Sequence, residues 1–124
     1  MADFEIKLRE SSEELTKRNL VKMKDLTNAT HLDKAVENGA PIGIDVSMYA
    51  IFDVHNEHAR DKKDYVKLVL VDHDGNKYVT GSETFMRNFL DIWNDMDGED
   101  VSVEVYGVDS KNYPGKQFVT CSLI

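Results

Sequence analysis

The stretch that decides the fold runs from Ile42 to Val54 and reads Ile-Gly-Ile-Asp-Val-Ser-Met-Tyr-Ala-Ile-Phe-Asp-Val. Every even-numbered position in it is apolar, whereas the odd-numbered positions include Gly43, Asp45 and Asp53. Because side chains alternate between the two faces of a β-strand, this period of two predicts a strand with one buried face. We therefore expect a fold organised around one long strand.

Two hairpins are expected after this strand. Tyr65–Val71 alternates in the same way and leads through an Asp-Gly turn into Lys77–Thr80, which indicates the first hairpin. Val101–Tyr106 and Val119–Leu123 also alternate and flank a Tyr-Pro-Gly turn, which indicates the second. The single cysteine, Cys121, lies in the last apolar pattern and cannot form an internal disulfide, so we expect it to be an ordinary core residue.

A helix is expected between the two hairpins. Ser82–Met96 starts with a favourable N-cap residue, carries a broad apolar stripe that includes Trp93, and is followed by Gly98. The resulting order of long strand, strand, strand, helix, strand, strand is typical of the OB-fold, a partly open Greek-key barrel. We therefore predict a mainly β protein with an OB-fold-like five-stranded antiparallel barrel, one helix between its third and fourth strands, and a mixed N-terminal extension.

The start of the chain is predicted to be an extension packed on the barrel. Phe4–Leu8 alternates like a short edge strand, Ser11–Glu14 can open a short helix, and His31–Asn38 is expected to be another helix. Leu20–Leu26 fits helix and strand equally well. We predict one domain overall, made of the extension at residues 1–40 and the barrel at residues 41–124.

The net charge of −8 weighs against a nucleic-acid ligand at first sight, because phosphates are bound mainly by Lys and Arg. The negative charge is concentrated in residues 72–100, which contain eight acids and two bases. Residues 55–67 and 107–118 each have a net charge of +1 and are predicted loops with strand edges. We take these two stretches as the positively charged part of the surface.

The sequence contains no recognisable catalytic, nucleotide-binding or metal-binding motif. His55 and His58 are close in sequence but lack a Cys or Glu at a spacing suited to a metal. The acidic stretch Asp95–Asp100 does not complete a calcium loop, because Tyr106 stands where that loop requires Glu. We therefore expect a protein that is not an enzyme and has no metal or cofactor. The absence of a secretory signal and of a long apolar run predicts a cytoplasmic protein with no membrane role.

The candidate site is made of aromatic and basic residues. Proteins that bind single-stranded nucleic acid stack bases on aromatic rings and place cations along the phosphates. Tyr65 and Lys67 are expected to project from the strand face opposite Val66, and the loops that follow the first and fourth barrel strands flank the ligand groove of OB-folds. In the alternative interpretation the tyrosines are half-buried barrel residues with solvated hydroxyl groups. The candidate single-stranded DNA-binding residues are Arg60, Lys62, Lys63, Tyr65, Lys67, Lys77, Tyr78, Lys111, Tyr113 and Lys116.

Several stretches together resemble the small single-stranded DNA-binding proteins of tailed bacteriophages, including those used in protein-primed genome replication. They are Tyr49–Val54, Val66–Leu70, residues 74–82 (Asp-Gly-Asn-Lys-Tyr-Val-Thr-Gly-Ser), the helix from Phe85, and Val101–Ile124. The similarity covers roughly residues 40–124, and its patterns are more specific for the fold than for the ligand. Members of that family are often acidic overall. The resemblance therefore implies that a negative net charge is compatible with binding to DNA. The chain differs from the family in its longer, Lys- and Glu-rich start before His31.

The leading hypothesis is a protein that coats single-stranded DNA in phage-type replication or recombination with little sequence preference. Replication or recombination proteins and further copies of the chain are candidate partners, and the host cytoplasm is the expected location. The main alternative is an OB-like protein-interaction module or an acidic DNA-mimicking inhibitor. In that case the acidic end of the helix, Asp91–Asp100, would face a basic partner.

Overall fold

About half of the chain that the computed structural model describes is β-strand. The described residues are 4–38, 41–58, 63–109, 115 and 117–124. In chain order the elements are β1 (Phe4–Ser11), α1 (Lys17–Lys24), β2 (Thr30–His31), α2 (Leu32–Ala35), a 3-10 helix (Val36–Asn38), β3 (Ile42–Asn56), β4 (Asp64–Asp72), β5 (Lys77–Thr80), α3 (Glu83–Met96), β6 (Val101–Asp109) and β7 (Gln117–Leu123).

The strands form one strongly curled, half-barrel sheet built around β3. The strand order is β2-β5-β4-β3-β6-β7. One edge of β3 pairs with β4, and its other edge pairs with β6 at Ile42–Val46 and then with β1 at Ala50–Asn56. The 15-residue length of β3 is what allows it to hold three neighbours, and every other part of the fold is attached to it directly or through one of them.

The predicted order of elements from the long strand onward is confirmed, but the predicted number of barrel strands is not. The sheet has seven strands, because β1 and the short parallel strand β2 join it. The strand next to β5 is β2, and β7 ends the order, so β5 and β7 are not paired with each other. The sheet therefore remains an open half-barrel.

A β-bulge divides β3 into two parts. Val46 pairs with Asp72 and Met48 pairs with Val71, so two steps along β3 correspond to one step along β4. An extra residue in one strand of an antiparallel pair shifts the alternation of its side chains. One face of β3 therefore carries the even-numbered side chains before the bulge and the odd-numbered side chains after it.

The bulge gives β3 two buried faces where the sequence predicts one. Ile44 before the bulge and Tyr49 and Ile51 after it belong to the same cluster, the main core, which also contains Phe85, Phe89, Val103 and Val105. Ala50 and Phe52 point the other way, into a separate cluster. The predicted long strand is thus confirmed, whereas the prediction of a single half-buried face is wrong for its second half.

Helix α3 covers the main core, as predicted. It begins after Ser82, whose hydroxyl oxygen accepts a hydrogen bond from the backbone N–H of Phe85 at 3.2 Å. Phe85 and Phe89 are fully buried, and Trp93 packs against the core while remaining partly exposed. The Trp93 ring meets that of Tyr49 edge-on, with 5.3 Å between centroids. The aromatic stripe read from the sequence is therefore a core feature.

The β6–β7 hairpin completes the main core. Val105 of β6 lies opposite Cys121 of β7, and both are buried. Burial raises the pKa of the Cys121 thiol to about 11, so it stays protonated at neutral pH. Cys121 is the core residue that the sequence predicts.

The N-terminal segment packs on the opposite side of the sheet and forms a second core. Met23 of α1 is buried there against Ala50 and Phe52 of β3, Val69 of β4 and Val79 of β5. Partly buried apolar residues surround this group, namely Ile6, Leu15, Leu20, Leu26, Ala29, Met48 and Val71. The chain therefore buries apolar side chains on both faces of the central strands.

We expect Phe52→Ala to reduce the free energy of unfolding by about 3–5 kcal/mol, because Phe52 is only 2% exposed and truncation of a buried aromatic leaves a cavity. Val21→Ala is the control: Val21 lies on α1, is 68% exposed, and its truncation should change stability by no more than about 0.5 kcal/mol. Urea unfolding of both variants measures the difference. Equal stability of the two variants would show that the second core does not support the fold.

Candidate functional site

The face of β3, β4 and β5 that carries the second core is called the outer face here, and the face toward the main core is the inner face. Helix α1 covers part of the outer face, around Phe52 and Val69. Beyond this covered part, Lys67 lies directly opposite Phe52 in the β3–β4 ladder, and Tyr65 lies opposite Val54. Two of the predicted site residues therefore share the outer face, next to the part that α1 covers.

Tyr65 and Lys67 form a contact of their own on this face. The Lys67 ammonium lies 5.6 Å from the centroid of the Tyr65 ring, which is the geometry of a cation–π interaction. Both residues are half-buried rather than enclosed. The Lys67 ammonium therefore lies over one side of the Tyr65 ring.

Lys77 is used by the fold. Its ammonium donates hydrogen bonds to the backbone carbonyls of Lys22 and Asp25, the latter at 2.9 Å. These carbonyls lie at the end of α1, where backbone acceptors lack partners within the helix and a cation is favoured by the helix dipole. Lys77 therefore fixes the end of α1 to β5.

Tyr78 is also held by the fold. Its hydroxyl donates to Asp72 Oδ2 at 3.0 Å, and its ring packs against the main core on the inner face. Burial, together with this bond to Asp72, raises the pKa of Tyr78. Asp72 also accepts hydrogen bonds from the backbone N–H groups of Asp74 and Asn76 and so organises the β4–β5 turn. Although burial opposes ionisation of Asp72, the hydrogen bonds from Asn76 and Tyr78 prevail and lower its pKa.

The remaining predicted residues are in the two loops. Lys63 is exposed, and its ammonium lies 3.3 Å from a carboxylate oxygen of Glu57, as an ion pair. The other five lie outside the described residues: Arg60, Lys62, Lys111, Tyr113 and Lys116. Their part in a site stays a prediction.

The charge count from the sequence overlooked the most basic helix. Residues 17–24 of α1 read Lys-Arg-Asn-Leu-Val-Lys-Met-Lys and contain four bases and no acid, against a net +1 in each of the two loops. Glu13 and Glu14 just before the helix hide this charge when the N-terminal segment is read as a whole. A count over windows of eight residues would have found it.

A second candidate region is a groove of about 570 Å³ between β1, β3, β4 and the start of α3. Arg9 of β1 forms a two-point ion pair there with Asp53 of β3 through Nε and Nη2, and this partner raises the pKa of Arg9. The charged residues along the groove are Glu5, Lys7, Arg9, Asp53, His55, Asp64 and Glu83. Because acids outnumber the permanent cations, the groove is poorly suited to a phosphate chain.

His55 lies at the edge of this groove between two carboxylates. Its Nδ1 is 2.6 Å from Asp64 Oδ1, and its Nε2 is 2.5 Å from Glu57 Oε1. Only the protonated imidazole can donate from both nitrogens. The hydrogen bonds to Asp64 and Glu57 accordingly raise the pKa of His55, and the bonds from His55 and Lys63 lower the pKa of Glu57. The cluster ties the end of β3 to the start of β4.

Among the described residues, no group of three or more His, Cys, Asp or Glu side chains could hold a metal ion. No helix in this part of the chain has the length and apolar character needed to cross a membrane.

The His55 cluster makes stability depend on pH. Folding raises the pKa of His55. The stabilisation that His55 contributes is therefore fully present below its unfolded pKa of about 6.5, and it is lost as the pH rises through its folded pKa. We expect the melting temperature of the wild type to fall over that range, and the fall to be smaller in His55→Gln. His73→Gln, at the exposed β4–β5 turn, is the control and should keep the wild-type profile. If the melting temperatures of His55→Gln and the wild type fall equally with pH, the His55 cluster does not cause the pH dependence.

The fold and the outer face were compared with what is known of other proteins. No protein-family model, curated protein or solved structure matched this chain. Function therefore has to be argued from the site itself and from the resemblance noted in the sequence.

Proposed function

We propose that the protein binds single-stranded DNA on its outer face, without catalysis and with little sequence preference, and that its half-barrel is a variant of the OB-fold. The order β3, β4, β5, α3, β6, β7 supports this, because it has the strand–helix order of an OB barrel. OB-folds bind oligonucleotides across their second and third barrel strands. Here those strands correspond to β4 and β5.

The observation that carries the proposal is the pairing of Tyr65 with Lys67 on β4. A ring with an accessible face can stack on any base, and a neighbouring ammonium can follow the phosphates. Because they are two residues apart on β4, both lie on the same side of the strand, and they are in contact at 5.6 Å. Since Lys77 and Tyr78 are already engaged by the fold, we centre the site on Tyr65 and Lys67. The loop residues that the sequence predicts as further DNA contacts are Arg60, Lys62, Lys63, Lys111, Tyr113 and Lys116.

The distribution of charge reconciles this proposal with the net charge of −8. The acidic stretch, residues 72–100, includes α3, which packs on the main core and so lies on the inner side of the sheet. Helix α1, with four bases, lies on the outer side. A strand of DNA on the outer face would meet the basic part of the protein.

The biological setting is also proposed from the resemblance to phage single-stranded DNA-binding proteins. The protein would coat DNA during replication or recombination in the host cytoplasm, together with other replication proteins or further copies of itself. Low sequence preference is expected because stacking and phosphate contacts are available to every base.

A second candidate function is docking of a basic partner protein on the acidic end of α3. Its support is a run of exposed acids, which are Asp91, Asp95, Asp97, Glu99 and Asp100. This candidate requires no binding to DNA, so the same titration separates the two.

We expect Tyr65→Ala to weaken binding to oligo-dT by about 1–3 kcal/mol, or roughly 5- to 150-fold, because it removes the stacking plane. Tyr65→Phe keeps the ring and should bind like the wild type. Tyr106→Ala is the control: Tyr106 is a partly exposed tyrosine of β6 whose hydroxyl contacts Ser122 Oγ at 2.6 Å, and its loss should leave DNA binding unchanged. Fluorescence titration measures the affinity, and a thermal melt verifies that each variant is folded.

The proposed function also requires a preference for single strands, because the base faces are hidden in a duplex. Equal affinity for single-stranded and duplex DNA of one length would contradict it. Normal binding by folded Tyr65→Ala would remove Tyr65 from the site, and no binding of oligo-dT by the wild type would favour the acidic docking function.

A further inference from the structure

We propose that α1 is the main phosphate-binding element of the outer face, with Arg18 and Lys22 making the contacts. This inference rests on the proposed function, because it assigns the phosphate-binding part of the same site. It differs from the sequence-based prediction, which gave that role to the two loops.

The orientation of α1 leaves its bases available. Leu20 and Met23 pack into the second core, and at 100° per residue the opposite side of the helix carries Arg18, Val21 and Lys22. Arg18 and Lys22 are exposed, and Val21 between them is 68% exposed. The apolar side of α1 is already buried in the protein, so its basic side is the part that can meet a ligand.

The helix dipole favours Lys22 and Lys24 in the last turn of α1, but it does not explain the two bases at the start of the helix. Lys17 and Arg18 lie in the first turn of α1, which contains no acid. The positive end of the helix dipole disfavours cations there and favours Asp or Glu. A feature that works against the helix but concentrates positive charge on one surface points to an anionic ligand.

The helix is capped at its start and fixed to the sheet at its end. Thr16 Oγ1 caps its start by accepting a hydrogen bond from the backbone N–H of Asn19 at 3.2 Å. Lys77 binds the carbonyls of Lys22 and Asp25 at its end. The bases of α1 are therefore held at a set position relative to β5, and a ligand would not have to order the helix before it binds.

The buried side of α1 packs next to the strand that carries the Tyr65–Lys67 pair. Met23 and Phe52 belong to the same cluster, and Phe52 lies directly opposite Lys67 on the neighbouring strand. Adjacent strands are about 4.8 Å apart, and Tyr65 is about 7 Å further along β4. One OB-fold contacts roughly 4–16 nucleotides, so a single ligand can extend well past two neighbouring strands. A single oligonucleotide can thus stack on Tyr65 and run over α1.

The test compares salt dependence of oligo-dT binding in two double variants with equal loss of charge. In R18Q/K22Q, each lost phosphate contact should lower the slope of log affinity against log salt concentration by about 0.7. Loss of both contacts lowers the slope by about 1.4, so the affinity at 0.1 M salt falls about 25-fold. The control K7Q/R87Q removes one Lys in the β1 groove and one exposed Arg on α3, and should keep the wild-type slope. Glutamine has a helix propensity close to that of Lys and Arg, and Lys7 is an exposed residue of β1, so both variants should melt like the wild type.

The charge-conserving variant R18K/K22R should retain the wild-type slope. If the wild type binds with salt-dependent affinity and folded R18Q/K22Q keeps its slope, the assignment to α1 is wrong while the proposed function stands. If the slope falls by the same amount in both double variants, binding depends on net charge and α1 has no special role. If the wild type binds no oligo-dT, the proposed function and this inference are both wrong.

Discussion

The bulge in β3 is the constraint on which the rest of the structure depends. By inserting one residue between Val46 and Met48, it turns Tyr49 and Ile51 toward the main core and Phe52 toward the outer face. A regular strand would keep the side chains of one parity on one face along its whole length. With the bulge, one 15-residue strand supplies apolar side chains to two cores, and both α3 and the N-terminal segment can pack on the sheet that it organises.

The second core determines where a ligand can bind. Helix α1 takes up the part of the outer face around Phe52 and Val69, and Tyr65 and Lys67 at the start of β4 lie beside this covered part. Helix α1 also brings four bases to the outer side of the sheet. Lys77, which the sequence suggests as a DNA contact, instead secures this helix. The outer face thus combines an aromatic residue from the sheet with cations from the N-terminal segment, whereas the groove at β1 mixes charges of both signs.

Much of the fold follows from local pattern. The period of two in β3, β4, β6 and β7 and the capped apolar stripe of α3 were sufficient to predict those elements and their order. The bulge was not predictable in this way, because Tyr49 to Phe52 are apolar or aromatic at both parities and hide the shift. The roles of Lys77 and Tyr78 depend on partners fixed by the folded chain, including Lys22, which is 55 residues from Lys77. The basic helix could have been found from local charge alone.

The account's central claim is that single-stranded DNA lies across the outer face, between α1 and the Tyr65–Lys67 pair. Backbone amide chemical shifts of the full chain, followed by NMR during titration with an oligo-dT of about ten nucleotides, test it most directly. Binding across the outer face should give shifts concentrated in residues 17–24 and at Tyr65 and Lys67. Shifts confined to the β1 groove, which Asp64 and Tyr65 also line, with none in residues 17–24, or no shifts at saturating oligonucleotide, would contradict it.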